Sequence, residues 1–472
     1  MRWVKYGITL FLALSSVVVF TTSVDAEIKK YEITTTKGLK MKLLVDENMD
    51  YIHAEILVFY KDKYTNPAIP ALTRLNLFDR NVHKSDSGLL STLKRLGYDY
   101  EVEQTSDYYT LKVNFLPDKL QVFARLLKSI YTYKPFLNIR INPESYTYQK
   151  RERDTQRMFQ DSVENYWKYF YREENWERSI ASQIAYNKLF PNHPMGNTLI
   201  TANALKRATL SAVRAFYQRA FRLPNSLLII KGNFKPHLVR AYINSEFDSF
   251  KTQVPEVPIK QELNISTDRQ VIIYHINRND PPVIFWFEAI VPMNDENYIP
   301  TLVLNNILYG FPLGRINLSC RDAGLNNLDI HSEVTNLQEV SILCNTIYLR
   351  SREIEKFIRL ADREKKKLAI GKVERKEILN TLSYFFGKTK VDTQYIDNDI
   401  NHEILTTFYP FNQDDLMTPS AKSPRATLAA LSAHLENPKI YSEPNKGVIV
   451  IVGNYNAIRR YLKHLNPVVF NY

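Results

Sequence analysis

Cysteine is almost absent: Cys320 and Cys344 are the two in 472 residues. A disulfide scaffold and any cysteine-based zinc finger are thereby excluded. Glycine is sparse as well, 13 in all, and proline numbers 22, which excludes collagen-like and low-complexity chains. The nine histidines are spread so widely that no two lie within one helical turn, so no helical pair of imidazoles faces a single ion. Each reads most simply as a surface or packed residue. Beyond the first 26 residues no apolar run approaches the roughly 20 residues that a membrane-spanning helix needs.

The chain does have ample material for packed cores. Hydrophobic residues make up 44 %, aromatics 12 % and charged residues 24 %, the balance of a globular protein. Its length suggests about two to four domains. The net charge is +12, but 62 basic residues are mixed with 50 acidic ones. The densest basic clusters, Lys150 to Arg153 and Arg363 to Lys367, are interleaved with acids and read as solvated helix faces. No nucleic-acid partner is expected.

Residues 1–26 read as a signal peptide. Arg2 and Lys5 form a basic start, Ile8 to Phe20 is an apolar stretch too short to span a bilayer, and Val24-Asp25-Ala26 is a small-x-small cleavage signal. The expectation is an exported chain, periplasmic or secreted, without a stable membrane span in its mature form. The alternative is an uncleaved anchor.

The remainder reads as two similar halves, 27–250 and 269–472. The segment 251–268, polar and carrying Pro255 and Pro258, reads as a linker. In the first half strands are predicted over Lys30–Thr36, Met41–Val45, Ile52–Tyr60, Asp99–Gln104, Tyr108–Phe115 and Ser226–Lys231. Helices are predicted over Ile69–His83, Gly88–Leu96, from Pro117, from about Pro143 to Phe170, and from the N-cap Thr209 to Phe221. The second half repeats the plan. Its strands are Gln270–Ile276, Val283–Val291, Leu328–Val334, Val340–Tyr348 and Gly447–Val452. Its helices are Tyr298–Tyr309, Leu313–Arg321, Arg352–Leu368 and a last one after Gly453. A strand closing in Gly-Asn-aromatic occurs late in both, at Gly232-Asn233-Phe234 and Gly453-Asn454-Tyr455, so a duplicated α/β unit is the economical account.

Several short motifs occur in order. His193-Pro194-Met195-Gly196 is followed by Leu205-Lys206, Ala215-Phe216-Tyr217, Pro224-Asn225-Ser226 and Ile230-Lys231-Gly232-Asn233-Phe234. In the second half come Leu304 to Leu308, Arg315, Cys320-Arg321-Asp322 and Gly324-Leu325. Loose one by one, in this order they resemble the insulinase/pitrilysin-like zinc metallopeptidases, the group that includes mitochondrial processing peptidase. The resemblance covers nearly all of 27–472. It implies an α/β (α+β) fold of two homologous domains, each a mixed sheet with helices on one face, forming one half of a clam-like chamber.

That family hydrolyses peptides with zinc held by H-x-x-E-H on the first helix of the first domain, the glutamate acting as base. Here the matching positions are Ala71, Arg74 and Leu75. Alanine and leucine cannot ligate zinc, and a guanidinium cannot serve as a general base at neutral pH. No catalytic residue, metal ligand or cofactor is therefore expected. The helix of the family's third ligand holds Glu144, Glu152 and Glu164, but a lone carboxylate makes no zinc site. The family's substrate-contacting arginine in the second domain matches Arg321. Its companion tyrosine falls on Asn326 or Asn327, so Arg321 reads equally as a helix C-terminal residue. Asp99–Gln104 matches the edge strand on which active members align substrate. Tyr100, Val102 and Gln104 are thus candidates for peptide binding through strand addition, against the plainer reading of an edge blunted by its acids. Cys320 and Cys344 are expected as two buried thiols rather than a pair.

The resulting expectation is an inactive homologue that completes a chamber and binds unfolded peptide beside an active H-x-x-E-H partner, as a hetero-oligomer. The alternatives are a stand-alone periplasmic peptide-binding or chaperone-like module, and an active peptidase with unusual ligands.

Overall fold

The computed structural model describes residues 28–470 apart from 61–65, most of 79–99, 106–107, 134–144, 252–261, 382–445 and scattered positions of one or two residues. The leader, all of the helix predicted over 88–96 except the helical, buried Leu93 and Leu96, and also His83, Asp99, Glu144, Asn327 and much of the proposed linker lie outside the described residues.

The first half runs β1 (Lys29–Thr34), β2 (Lys40–Val45), β3 (Ile52–Phe59), α1 (Ala68–Phe78), β4 (Tyr100–Gln104), β5 (Tyr108–Phe115) and α2 (Leu120–Tyr131). It continues through α3 (Tyr146–Glu164), α4 (Tyr166–Phe170), α5 (Trp176–Leu189), α6 (Ala202–Lys206), α7 (Leu210–Ala220), β6 (Ser226–Gly232) and α8 (Pro236–Phe247). The second half runs β7 (Gln270–His275), β8 (Val283–Ile290), α9 (Tyr298–Tyr309), α10 (Arg315–Asp322), β9 (Asp329–Asn336), β10 (Ser341–Tyr348), α11 (Ile354–Ile370), β11 (Val448–Gly453), α12 (Tyr455–Ile458) and β12 (Val468–Phe470).

Local chemistry sets several of these boundaries. Thr209 caps α7 by accepting from the Ala212 N–H, and Ser145 caps α3 by accepting from the Tyr148 N–H. The predicted helix ending at Phe170 is in fact two, broken at Asn165, whose backbone leaves the helical region at φ −102° and ψ 12°. Pro117 opens a 3-10 turn before α2, since it removes a backbone donor only where none is needed. The helix expected after Gly453 is a single α-helical turn, followed by 3-10 turns and the short strand β12.

Both sheets have six strands, in the orders β1-β2-β6-β3-β5-β4 and β12-β7-β11-β8-β10-β9. Five positions correspond in order and direction. The central strand, β6 or β11, is parallel to β2 or β7 and antiparallel to β3 or β8. The antiparallel ladder then continues through β5 and β4, or β10 and β9. The sixth differs: β1 is antiparallel to its neighbour, whereas β12 is parallel. The repeated glycine has one physical cause in both halves. A Cβ on Gly232 would lie 2.5 Å from the Tyr51 carbonyl oxygen at the entry to β3, and one on Gly453 would lie 2.9 Å from Pro282 Cβ at the entry to β8.

Each sheet packs its own helices on one face. Leu43, Ile56, Leu111 and Ile230 of the first sheet join that half's helical core. In the second sheet Ile273, Trp286 and Ile451 join α9, α10 and α11. The opposite face of the second sheet, including Ile272, Phe285 and Val450, is covered from the first half and belongs to the first half's core. Helix α5 makes this contact, packing on β8 and β11, with Ile180, Ala181, Ile184 and Ala185 wholly buried. Sequence periodicity passed over α5, because a helix covered on two sides carries no single apolar stripe. Polar contacts reinforce the seam. Tyr171 and Tyr274 share a hydroxyl hydrogen bond of 2.6 Å, Arg178 pairs with Glu333, and the Arg278 guanidinium lies over the Trp176 ring at 5.7 Å. Cys320 and Cys344 are separate buried thiols, and burial pushes them up to about 12 and about 11.

Ile184→Ala should therefore lower stability by about 2–5 kcal/mol, the usual cost of a cavity in a collapsed core. Denaturant titration reads this as a shifted midpoint. A midpoint equal to that of the parent chain would contradict the packing of α5 between the halves.

Candidate functional site

The site begins with α1. In active members of the family that the sequence resembles, this helix must present two ligands and a base to a water-filled opening. Here it is a core helix: every residue is buried except Arg74. Ala71 is 4 % exposed and Leu75 1 %. Both pack in the apolar cluster that includes Leu72, Phe78, Leu111 and Phe159. Thr73 satisfies its hydroxyl on the Ile69 carbonyl at 2.8 Å. Asn76 donates to the Leu72 carbonyl at 2.7 Å and to the Ser162 hydroxyl of α3 at 2.8 Å, as a buried amide requires.

Arg74 is half-buried, and its guanidinium donates to the carboxylate of Glu173, which follows α4. Reading the sequence did not find Glu173. It lies outside the helix where the third ligand was sought, and the signal for it was Arg74 itself, since a half-buried guanidinium needs an acid. Tyr166 lies wholly buried beside this pair. Burial raises its hydroxyl well above the ordinary tyrosine range; Arg74 opposes that rise, and Glu173 and Tyr171 add to it. A row of groups thus runs from α1 to the seam: Arg74, Glu173, Tyr166, then Tyr171 bonded to Tyr274.

Of the three glutamates in the region of the third ligand, Glu152 and Glu164 are among the described residues. Glu152 accepts two bonds from Arg214, at 2.7 and 2.9 Å. That hydrogen bonding, with the Arg214 charge, holds its carboxyl below the ordinary value against the opposing effect of burial. Glu164 is the exposed last residue of α3. Among the described residues no three His, Cys, Asp or Glu side chains gather as metal ligands would.

The structure brings the edge strand to α1. Among the described residues strand β4 is the outer strand of its sheet, and the Tyr100 hydroxyl donates to the Phe78 carbonyl at the end of α1, 2.5 Å away. Tyr100, Val102 and Gln104 lie opposite Val113, Leu111 and Tyr109. Tyr100 and Val102 pack partly buried against the helix-side core. Arg321 is on α10 in the second half, exposed, one residue before the helix end. Its carbonyl accepts from the Gly324 N–H at 2.9 Å, and Gly324 has a φ of +81°. Asn326 is exposed.

Removing either partner of the Arg74–Glu173 pair should destabilise the chain, by about 1–3 kcal/mol for a hydrogen bond to a charged group. Arg74→Ala, Glu173→Ala and the double variant form a cycle read by thermal or denaturant unfolding. A double variant that costs the sum of the singles would refute the coupling.

Comparison with known proteins places this geometry. A family model described as "Peptidase M16 inactive domain" matches residues 207–384, from α7 and β6 through β10 and α11. No curated protein matches the sequence. Among solved structures, a protease from Helicobacter pylori shares the fold at a TM-score of 0.67 and 13 % identity, over 90 % of this chain and 99 % of that one. A peptidase M16 inactive domain from Pseudomonas fluorescens does so at 0.64 and 16 %, over 90 % and 98 %. The periplasmic protease PqqL from Escherichia coli gives 0.63 and 11 %, over 94 % of this chain and 51 % of that one. The chain thus has the two-domain fold of M16-like peptidases along its length, its residues 207–384 match the inactive domain of that group, and H-x-x-E-H does not occur in its sequence.

Proposed function

We propose that this chain is a catalytically inactive M16 homologue that binds unfolded peptide and serves as the non-catalytic subunit beside an active H-x-x-E-H partner. One observation carries the loss of catalysis: α1 gives its ligand positions to core packing, through Ala71 and Leu75, and its base position to an ion pair, through Arg74 and Glu173. Zinc hydrolysis needs three protein ligands and an open position for water, and α1 supplies neither. Strand β4 keeps what peptide capture needs, an outer strand whose pairing is tolerant of side chains. Arg321, exposed on α10, is the second-domain contact in this reading. Its planar fork can bond a peptide carbonyl or carboxylate inside a chamber completed by the partner.

Export to the periplasm is part of the same proposal. The basic and apolar start of the sequence supports it. No described helix is long and apolar enough to cross a membrane, and the structurally similar PqqL is a periplasmic protease.

The purified chain should hold no stoichiometric zinc by elemental analysis and leave a quenched unfolded peptide intact. About one zinc per chain, with peptidase activity lost on chelation, would overturn the inactive assignment. Mixed with an H-x-x-E-H homologue, the chain should co-elute on sizing and raise peptide hydrolysis above that of the homologue alone. Arg321→Ala should slow hydrolysis by the complex without dissolving it, and Arg321→Lys should restore it only in part. Absence of co-elution, with hydrolysis unchanged by mixing, would end the subunit reading.

A further inference from the structure

Resting on the reading that β4 receives peptide, we infer that Glu101 and Glu103 make this edge selective for extended peptides carrying lysine or arginine at alternate positions. The two faces of β4 differ sharply. Tyr100, Val102 and Gln104 are partly covered and uncharged, on the helix side. Glu101 and Glu103 are exposed on the other face, opposite Lys112 and Thr110 of β5. Lys112 is the cation that meets both, at 3.9 Å from Glu101 and 3.2 Å from Glu103. Burial alone would lower the Lys112 ammonium, but Glu103, Glu55 and Glu101 together hold it above the ordinary lysine value. Among the described residues one ammonium thus answers both carboxylates, and the exposed pair Glu101 and Glu103 carries a surplus of negative charge.

The spacing suits a bound strand. Residues two apart on β4 share a face, and so do residues two apart on a peptide hydrogen-bonded beside it, about 4.7–4.9 Å away. Side chains directly opposite then stand with Cβ atoms about 4.5–5.5 Å apart, within reach of a lysine or arginine head group. The intervening peptide side chains meet Tyr100, Val102 and Gln104, where no charge rewards a charge. The same acids discourage the edge from pairing with another copy of itself, because antiparallel β4 edges would set glutamate against glutamate. The net charge of +12 does not oppose a basic peptide at this range. Exposed charges are screened beyond about 10 Å at 0.1 M salt, whereas the two glutamates act in contact.

The test uses the full chain and three labelled nine-residue peptides of one design, alternating threonine with lysine, glutamine or glutamate, followed by fluorescence anisotropy. The lysine peptide should bind about three- to tenfold tighter than the glutamine peptide, and the glutamate peptide weakest. The difference should shrink between 50 and 300 mM salt, and Glu101→Gln with Glu103→Gln should remove it. Both glutamates are exposed, and circular dichroism confirms folding; the ranking on the parent chain stands without the variant. Equal binding of all three peptides would overturn the selectivity while leaving peptide capture in place. A lysine preference that survives the double variant would overturn the assignment to Glu101 and Glu103. Binding of none would remove peptide capture itself, and the inference with it.

Discussion

The arrangement of this molecule depends on helix α5 being buried twice, once among the helices of its own half and once against the second sheet. A helix in that position must be narrow where it crosses the strands. Ile180, Ala181, Ile184 and Ala185 are all wholly buried there, two of them with the smallest side chain that still carries a Cβ. Because α5 belongs by sequence to one half and by packing to both, apolar positions of the second sheet join the first half's core. The polar contacts follow from it. Tyr171, Trp176 and Arg178, on and just before α5, reach Tyr274, Arg278 and Glu333 respectively. Glu173, in the same short segment, turns the other way to Arg74 on α1.

Several buried charges of this protein are paired within the fold. In the second half Lys365, 2 % exposed, pairs with Glu288 and lies 4.3 Å from the centre of the Trp286 ring. Arg269 stands over the same ring at 5.2 Å and bonds Asp362 at 2.7 Å. Desolvating such groups offsets much of their attraction, so a buried pair adds little net stability, yet breaking one leaves an uncompensated charge. The Arg74–Glu173 pair follows the same rule on α1. A charged link there ties α1 to the seam between the halves.

Much of this architecture was legible in the sequence, for reasons that differ from one element to the next. Strand β5 and helix α9 have their predicted limits, because period-two and helical apolar patterns are unambiguous when one face is buried. The duplication was legible through its glycines, since Gly232 and Gly453 each make room for a neighbouring strand's entry. Helix α5 was not, being apolar on two sides, and β12 was not, because three residues carry no period. At the candidate site, the apolar character of Ala71 and Leu75 was plain, and both are buried. The partner of Arg74 was not, because an ion pair across 99 positions of sequence is set by the fold and leaves no spacing to read.

The two sheets also differ in when they can close. In the first, the central strand β6 is complete at Gly232, and every other strand of that sheet precedes it. In the second, β7 and β8 must stand apart until β11, at Val448–Gly453, inserts between them. Their paired edges are therefore unmade while nearly the whole chain is synthesised, and β12 can add to β7 only later still. Closing so long a loop is slow, and open strand edges invite wrong partners meanwhile. Helix α5 packs on β8 and on β11 itself, so its seat on the second sheet is complete only once that middle strand has arrived.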